Sequence, residues 1–326
     1  MVSTRDSVWQ AEPQKERVGQ SLRAKCTKRH PRPVKLSVAF VIAVLLLPAL
    51  RLPANPSTKL QVQGLEKAAS QVLPTTGEGL QDPPSNAPAT ASAAGYRTLV
   101  FGDEFNSADN ISPDGSGSYK WYTTNFFSSS ATLPNSGLKV NNGYLTILTD
   151  ASGYSYGIAT ATPTQSSGVW QYGYFEARIR FNSEGHTSGA WPAFWSYSIE
   201  GALGSVPNGS YYSELDFMEC YPRASSCAYI TTVHQWQHNA SSNTSIAHNA
   251  DNVPDVPRGF DFTQWHVYGC LWTPNKVQWY LDGKLVTTAA VGPGTSFTAL
   301  EQNHMMVILG TGRSWPMDVD YVHVWQ

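Results

Sequence analysis

From residue 138 to the last residue the chain keeps returning to short runs in which apolar and polar residues alternate with a period of two. That period suits β-strands, whose side chains point alternately to opposite faces. LKVNNGYLTILTD (138–150) holds two such runs around Asn-Asn-Gly, a hairpin turn signal. KVQWYLDGKLVTT (276–288) repeats the arrangement around Asp-Gly, and YGYFEARIRF (172–181) and MDVDYVHVWQ (317–326) alternate likewise. No segment sustains a helical period, and no internal repeat is evident. Many short strands over about 230 residues predict an all-β fold, a two-sheet antiparallel sandwich. The 11 Trp, 16 Tyr and 26 Gly, with only 14% charged residues, agree with a turn-rich β domain.

The chain ahead of this unit reads differently. Residues 1–35 form a basic tail without periodicity, with nine Lys/Arg against three Asp/Glu, or +6. Since the whole chain carries −2, the other 291 residues carry −8. A mildly acidic body argues against nucleic acid as the partner, since a binder needs a basic face for phosphates. LSVAFVIAVLLLPAL (36–50) has no charge and is bounded by Lys35 and Arg51. It is short for a membrane span of roughly 20 residues, and is read as a signal-peptide core or a membrane anchor. Either puts the rest of the protein outside the cytoplasm: extracellular or periplasmic, secreted or tethered to the outer face of a membrane. Residues 51–95 are rich in Pro, Ala, Ser and Thr and are read as a linker. The folded domain is therefore expected over 96–326, as a monomer. Of four cysteines, Cys270 reads as a buried thiol in a strand, while Cys220 and Cys227 flank a Pro-containing turn and could pair in an exported protein.

One strand-like segment carries chemistry. In SELDFMEC (213–220), Glu214 and Asp216 share one face and Leu215 and Phe217 the other. Strict alternation would send Glu219 into the core, where an unpaired carboxylate is costly. One extra residue, a β-bulge at Phe217–Met218, returns Glu219 to the acidic face. Three neighbouring acids repel, so their placement needs a reason. A retaining glycosidase needs a carboxylate nucleophile and a protonated carboxyl about 5–5.5 Å apart, and a neighbouring charge helps the acid keep its proton. From the residues alone, a calcium site or a solvated acidic strand face remain alternatives.

The pattern Glu-x-Asp-x-x-Glu resembles the catalytic signature of glycoside hydrolase family 16 in its bulged form, shared by laminarinases, agarases and carrageenases. Other segments resemble the family in type and order: FGDEFN (101–106), YGYFEARIRF (172–181), GAWPAFW (189–195), TTVHQW (231–236), QWHVYGCLWTPNKVQWYLDGKLV (264–286) and VDYVHVW (319–325). The resemblance covers about residues 97–326. It implies a β-jelly roll with a concave substrate cleft, Glu214 as nucleophile, Glu219 as acid/base and Asp216 as the assisting residue. His234 matches a histidine beside the acid/base. Trp191 and Trp195 match tryptophans flooring the cleft, and Trp170, Trp236 and Trp315 are further candidates for sugar stacking. The reaction requires no cofactor. A structural calcium, as many members bind, would use Glu104 and Asp320.

The resemblance also has departures. CYPRASSC follows the motif, and HMMVILGTG (304–312) stands where many members have an Asn-containing strand. Both bear on substrate choice rather than reaction type. The expected activity is endo-hydrolysis of a β-linked polysaccharide, with β-1,3- or β-1,3-1,4-glucan favoured. Few basic residues (Arg223, Arg313) lie near the motif to hold a sulfated galactan. A galactan hydrolase, a cell-wall transglycosylase and a non-catalytic carbohydrate-binding jelly roll are the alternatives. Asn-x-Ser triplets at Asn110, Asn208, Asn239 and Asn243 would be glycosylated only in a source that modifies exported proteins.

Overall fold

A computed structural model describes residues 80–123, 137–141, 143–148, 157–181, 191–223, 226–238, 244–252, 260–311 and 315–326, with side chains omitted for 222–228 and 244–252. The basic tail, the apolar run 36–50, Arg313, Asn239 and Asn243 lie outside the described residues, as does the side chain of Arg223. In chain order the strands begin with β1 (Leu99–Asp103), β2 (Ile111–Ser112), β3 (Trp121–Tyr122), β4 (Leu138–Asn141), β5 (Tyr144–Ile147) and β6 (Gly157–Ala159). Next come β7 (Val169–Trp170), β8 (Gly173–Phe181), β9 (Ala193–Ser198), β10 (Tyr211–Arg223), β11 (Ser226–Gln237) and β12 (Thr244–Asn252). β13 (His266–Thr273), β14 (Lys276–Leu281), β15 (Lys284–Ala290), β16 (Met305–Gly310) and β17 (Met317–Trp325) complete them. Helix is confined, among the described residues, to α1 (Ala89–Ala93), α2 (Ile199–Ala202) and brief 3-10 turns. None is long and apolar enough to cross a membrane.

The strands form two sheets. One runs β15-β14-β13-β8-β17-β5-β4, with β1 also on β17; the other runs β12-β11-β10-β9-β16-β6-β3-β2, with β7 also on β16. Pairing is antiparallel apart from β2 with β3. The fold is the expected β-jelly-roll sandwich. Both predicted hairpins form. β4 and β5 pair as far as Asn141 with Tyr144, and β14 and β15 close around Asp282-Gly283. Asp282 and Gly283 both have positive φ, the geometry of the tight turn whose twist matches the flanking strands.

Aromatic side chains fill the space between the sheets. Phe175 on β8 stacks on Phe217 of β10 at 5.1 Å, and Tyr229 of β11 meets Tyr268 of β13 edge-on at 5.5 Å. Such interlocked rings add to the apolar burial that drives the sheets together.

The boundary of the domain needs correction. Residues expected to be linker up to 95 are packed from at least Gln81. The Gln81 N–H donates to Asn106 Oδ1 at 2.9 Å, and Asn106 returns a bond to the Gln81 carbonyl at 2.7 Å. α1 buries Ala91 completely against Tyr174, Leu271 and Trp325 on the outside of the first sheet. A short Ala-rich helix has too few apolar residues to show a period, so composition concealed it.

Candidate active site

The acidic segment lies in β10, in the middle of the second sheet. Against β11, Asp216 pairs with Thr232 and Glu219 with Ile230, so three steps on β10 face two on β11. Against β9, Asp216 pairs with Trp195 and Met218 with Phe194, again with one residue extra. The bulge therefore falls at Phe217–Met218, as the alternation demanded. Leu215, Phe217 and Met218 are all buried in the core, the last two consecutively. Glu214, Asp216 and Glu219 consequently share the opposite face of the sheet.

The core supports the bulge directly. The Trp279 indole N–H, from the other sheet, donates to the Asp216 carbonyl at 2.9 Å. The Tyr229 hydroxyl donates to the Phe217 carbonyl at 3.1 Å. A bulge disrupts the ladder locally, and a buried carbonyl without a partner is costly. These two side chains accept that burden for both residues.

On the acidic face, the Trp236 indole N–H donates to Glu214 Oε2 at 2.9 Å. His234 Nε2 lies 3.1 Å from Asp216 Oδ2 and 3.9 Å from Glu214 Oε1, and its ring stacks on Trp236. The histidine is thus directed first at the aspartate, not at Glu219 as the resemblance implied. The Trp191 indole N–H donates to Glu219 Oε1 at 2.5 Å, and the Tyr221 hydroxyl reaches the same oxygen at 3.4 Å. Trp195 faces outward beside Asp216 and remains partly exposed.

Burial governs the charge of the trio. It pushes Glu214, Asp216 and Glu219 each up to about 8. The charge of Asp216 adds to the rise for both glutamates, while His234 and the indole donors oppose it. The hydrogen bond shared with Glu214 opposes it for Asp216. Three such groups cannot all ionise near neutrality, so the site holds protons where exposed carboxylates would have none.

Trp170 and Trp315 do not belong to this site. Trp170 packs on Phe101 at 5.2 Å and Phe175, and Trp315 on Phe262 at 5.1 Å, both inside the core. Their indoles are spent on the sandwich interior, where a sugar has no access. Glu104 and Asp320, the residues expected to hold a structural calcium, each face protein donors. Asp320 accepts from Arg178 at Oδ2 over 2.6 Å and from the Gln81 amide at Oδ1 over 3.3 Å, while Glu104 pairs with His323 Nε2 at 2.6 Å. Calcium wants six to eight oxygens, and these carboxylates already face protein donors. Among the described residues the one grouping able to offer a metal three ligands is Glu214, Asp216 and His234. Cys220 is held in a disulfide and Cys270 is a buried free thiol, while the side chain of Cys227 lies outside the described residues.

Tyr221 was missed from the sequence. Two positions beyond Glu219 on a strand, it had to share that residue's face, and the alternation could have found it.

Comparison with known proteins gives a consistent picture. The family model for glycosyl hydrolases family 16 matches residues 125–320. An endo-1,3-1,4-beta-glycanase, ExsH, of Rhizobium meliloti (strain 1021) is 33% identical over 182 residues, covering 53% of this chain and 34% of that protein. A kappa-carrageenase of Pseudoalteromonas carrageenovora is 31% identical over 142 residues, covering 41% of this chain and 33% of the other. The chain thus spans about a third of the length of these curated relatives. A laminarinase structure from Flavobacterium sp. UMI-01 is 20% identical, with a TM-score of 0.48 over 70% of this chain and 100% of that one.

Proposed function

This chain belongs to glycosyl hydrolases family 16, and from that membership and the carboxylate geometry we propose that it is a retaining endo-hydrolase of a β-linked polysaccharide, cutting β-1,3- or β-1,3-1,4-glucan. The observation that carries the reading is the bulge, which sets Glu214 and Glu219 on one face with Asp216 between them.

The chemistry follows from the neighbours of each acid. Glu214 receives an N–H from Trp236 and lies near His234, contacts that favour its ionised form. Asp216 shares a hydrogen bond with Glu214. One proton held between these two leaves Glu214 able to attack the anomeric carbon, with Asp216 and His234 holding its orientation. Glu219, kept protonated by burial and by the one negative charge that the Glu214–Asp216 pair retains, delivers its proton to the leaving oxygen as that bond breaks. A covalent glycosyl-enzyme results. The Glu219 carboxylate then takes a proton from water, which attacks the same carbon and displaces the Glu214 carboxylate, and two inversions restore the anomeric configuration. Trp191 and Trp195 offer partly exposed indoles to the apolar faces of sugar rings beside the acids. Among the described residues, the charged groups acting on the carboxylates are one another and His234. That much of the lining suits a neutral glucan better than a sulfated galactan.

The test is incubation of the full chain with laminarin, lichenan, agarose and carrageenan beside a Glu214→Ala control. Cleavage of laminarin or lichenan to oligosaccharides with retained β-anomers is expected from the wild type alone. No cleavage of any substrate, or equal cleavage by the control, would overturn the assignment.

A further inference from the structure

We propose that Tyr221 is a positioning residue for the acid/base Glu219, its hydroxyl stabilising the carboxylate left after proton delivery and its ring closing one face of Trp191. The inference rests on the assignment of Glu219 above and extends it to a residue that the motif does not contain.

Tyr221 follows Glu219 by two positions on β10, so the alternation puts both on the same face. Across the sheet, the Cys220 N–H donates to the Pro192 carbonyl at 3.0 Å, which carries the β9–β10 ladder past the end of β9. Counting back from the Glu219–Ala193 pair, Trp191 then falls opposite Tyr221. The two rings stack at 3.9 Å between centroids with an interplanar angle of 22°. Both direct a donor at one atom, Glu219 Oε1. The stack thus holds the indole N–H and the phenol O–H on a single carboxylate oxygen.

Two consequences follow. A hydrogen bond donated to a carboxylate favours its charged form, so the pair lowers the cost of the ionised state through which Glu219 must pass in each turnover. Among the described residues, the groups facing Glu219 are Asp216 and Glu214 on its own strand, His234 on β11, and Trp191 and Tyr221; the phenol and the indole are the neutral donors among them. The second consequence is steric. With one face of Trp191 covered by Tyr221, a sugar ring can stack only on the other.

The experiment compares wild type, Tyr221→Phe and Tyr221→Ala on the polysaccharide the wild type cleaves. Phenylalanine keeps the stack and removes the hydroxyl. Its kcat/KM profile is expected to move its alkaline limb upward by about half a unit, with KM near the wild-type value. Alanine removes both features, so it should shift the limb and also raise KM several-fold, and Phe should restore KM but not the limb. Carbon NMR titration of the Glu219 carboxyl should show the same upward shift in Tyr221→Phe without any substrate. An active wild type whose Tyr221→Phe variant keeps an unshifted limb and an unshifted Glu219 titration overturns this inference and leaves the hydrolase reading standing. A wild type inactive on every polysaccharide overturns both.

Discussion

At the scale of single residues, the acids of β10 are held against their own preference for water. Each has a folded-state pKa raised above that of the unfolded chain, so each favours the native state at low pH and loses that contribution as pH climbs from about 4 towards 8. Glu219→Gln should therefore raise the melting temperature at pH 8 and change it little at pH 4. The same substitution removes the proposed general acid and should lower turnover by about 10²–10⁴-fold. Thermal melts at both pH values, paired with an assay on the cleaved polysaccharide, check the two halves. A variant that is less stable at pH 8 than at pH 4, relative to wild type, would contradict the charge assignment. In the active enzyme the same shifts place the loss of activity on the alkaline side near pH 8, as Glu219 gives up its proton.

At the scale of elements, β10 works because two core side chains satisfy its bulge. Trp279 and Tyr229 serve the carbonyls of Asp216 and Phe217, and both are fully buried. Trp279→Phe removes one donor and leaves the Asp216 carbonyl buried without it, which should cost about 1–3 kcal/mol in a denaturant melt. Because that carbonyl belongs to the strand segment between the two glutamates, kcat should fall more than KM rises. Loss of stability with unchanged kcat would show that the bulge keeps its form without the indole. The bulge itself could be read from SELDFMEC, since only an extra residue keeps Glu219 out of the core. Its supports could not. Trp279 is 63 residues away, and nothing local ties its indole to the opposite sheet.

At the scale of the whole molecule, the outer face of the first sheet carries a buried charged layer rather than open strands. Arg178 and Asp320 are almost fully enclosed, as are His323, Glu104 and Glu176. Burial pulls the His323 imidazole down, but its hydrogen bonds to Glu104 and Glu176 outweigh this and leave it above the ordinary value. Removing one member of an enclosed ion pair strands the other, so Arg178→Met should destabilise the fold by about 3–5 kcal/mol. Since Arg178 already neutralises Asp320, chelation with EDTA should leave the melting temperature of the wild type unchanged. A drop on chelation, reversed by calcium, would restore the metal to this face. Beside this layer, α1 seals Tyr174, Leu271 and Trp325. A chain begun at Tyr96 should accordingly melt below one begun at Leu80, as calorimetry of the two would show.

The sequence by itself determined the strand content, both tight hairpins and the shared face of Glu214, Asp216 and Glu219, because each follows from a local period of two and from the cost of burying a carboxylate. Only the tertiary structure decided which tryptophans stand beside the acids and which are core. Trp170 and Trp191 look alike in the chain, and only the packing of the sheets shows Trp170 against Phe101 and Trp191 against Glu219. It likewise decided that Asp320 faces an arginine and that residues before Tyr96 belong to the fold, since these contacts join segments far apart in the chain. Partners of that kind are chosen by how two sheets stack, which no local period encodes.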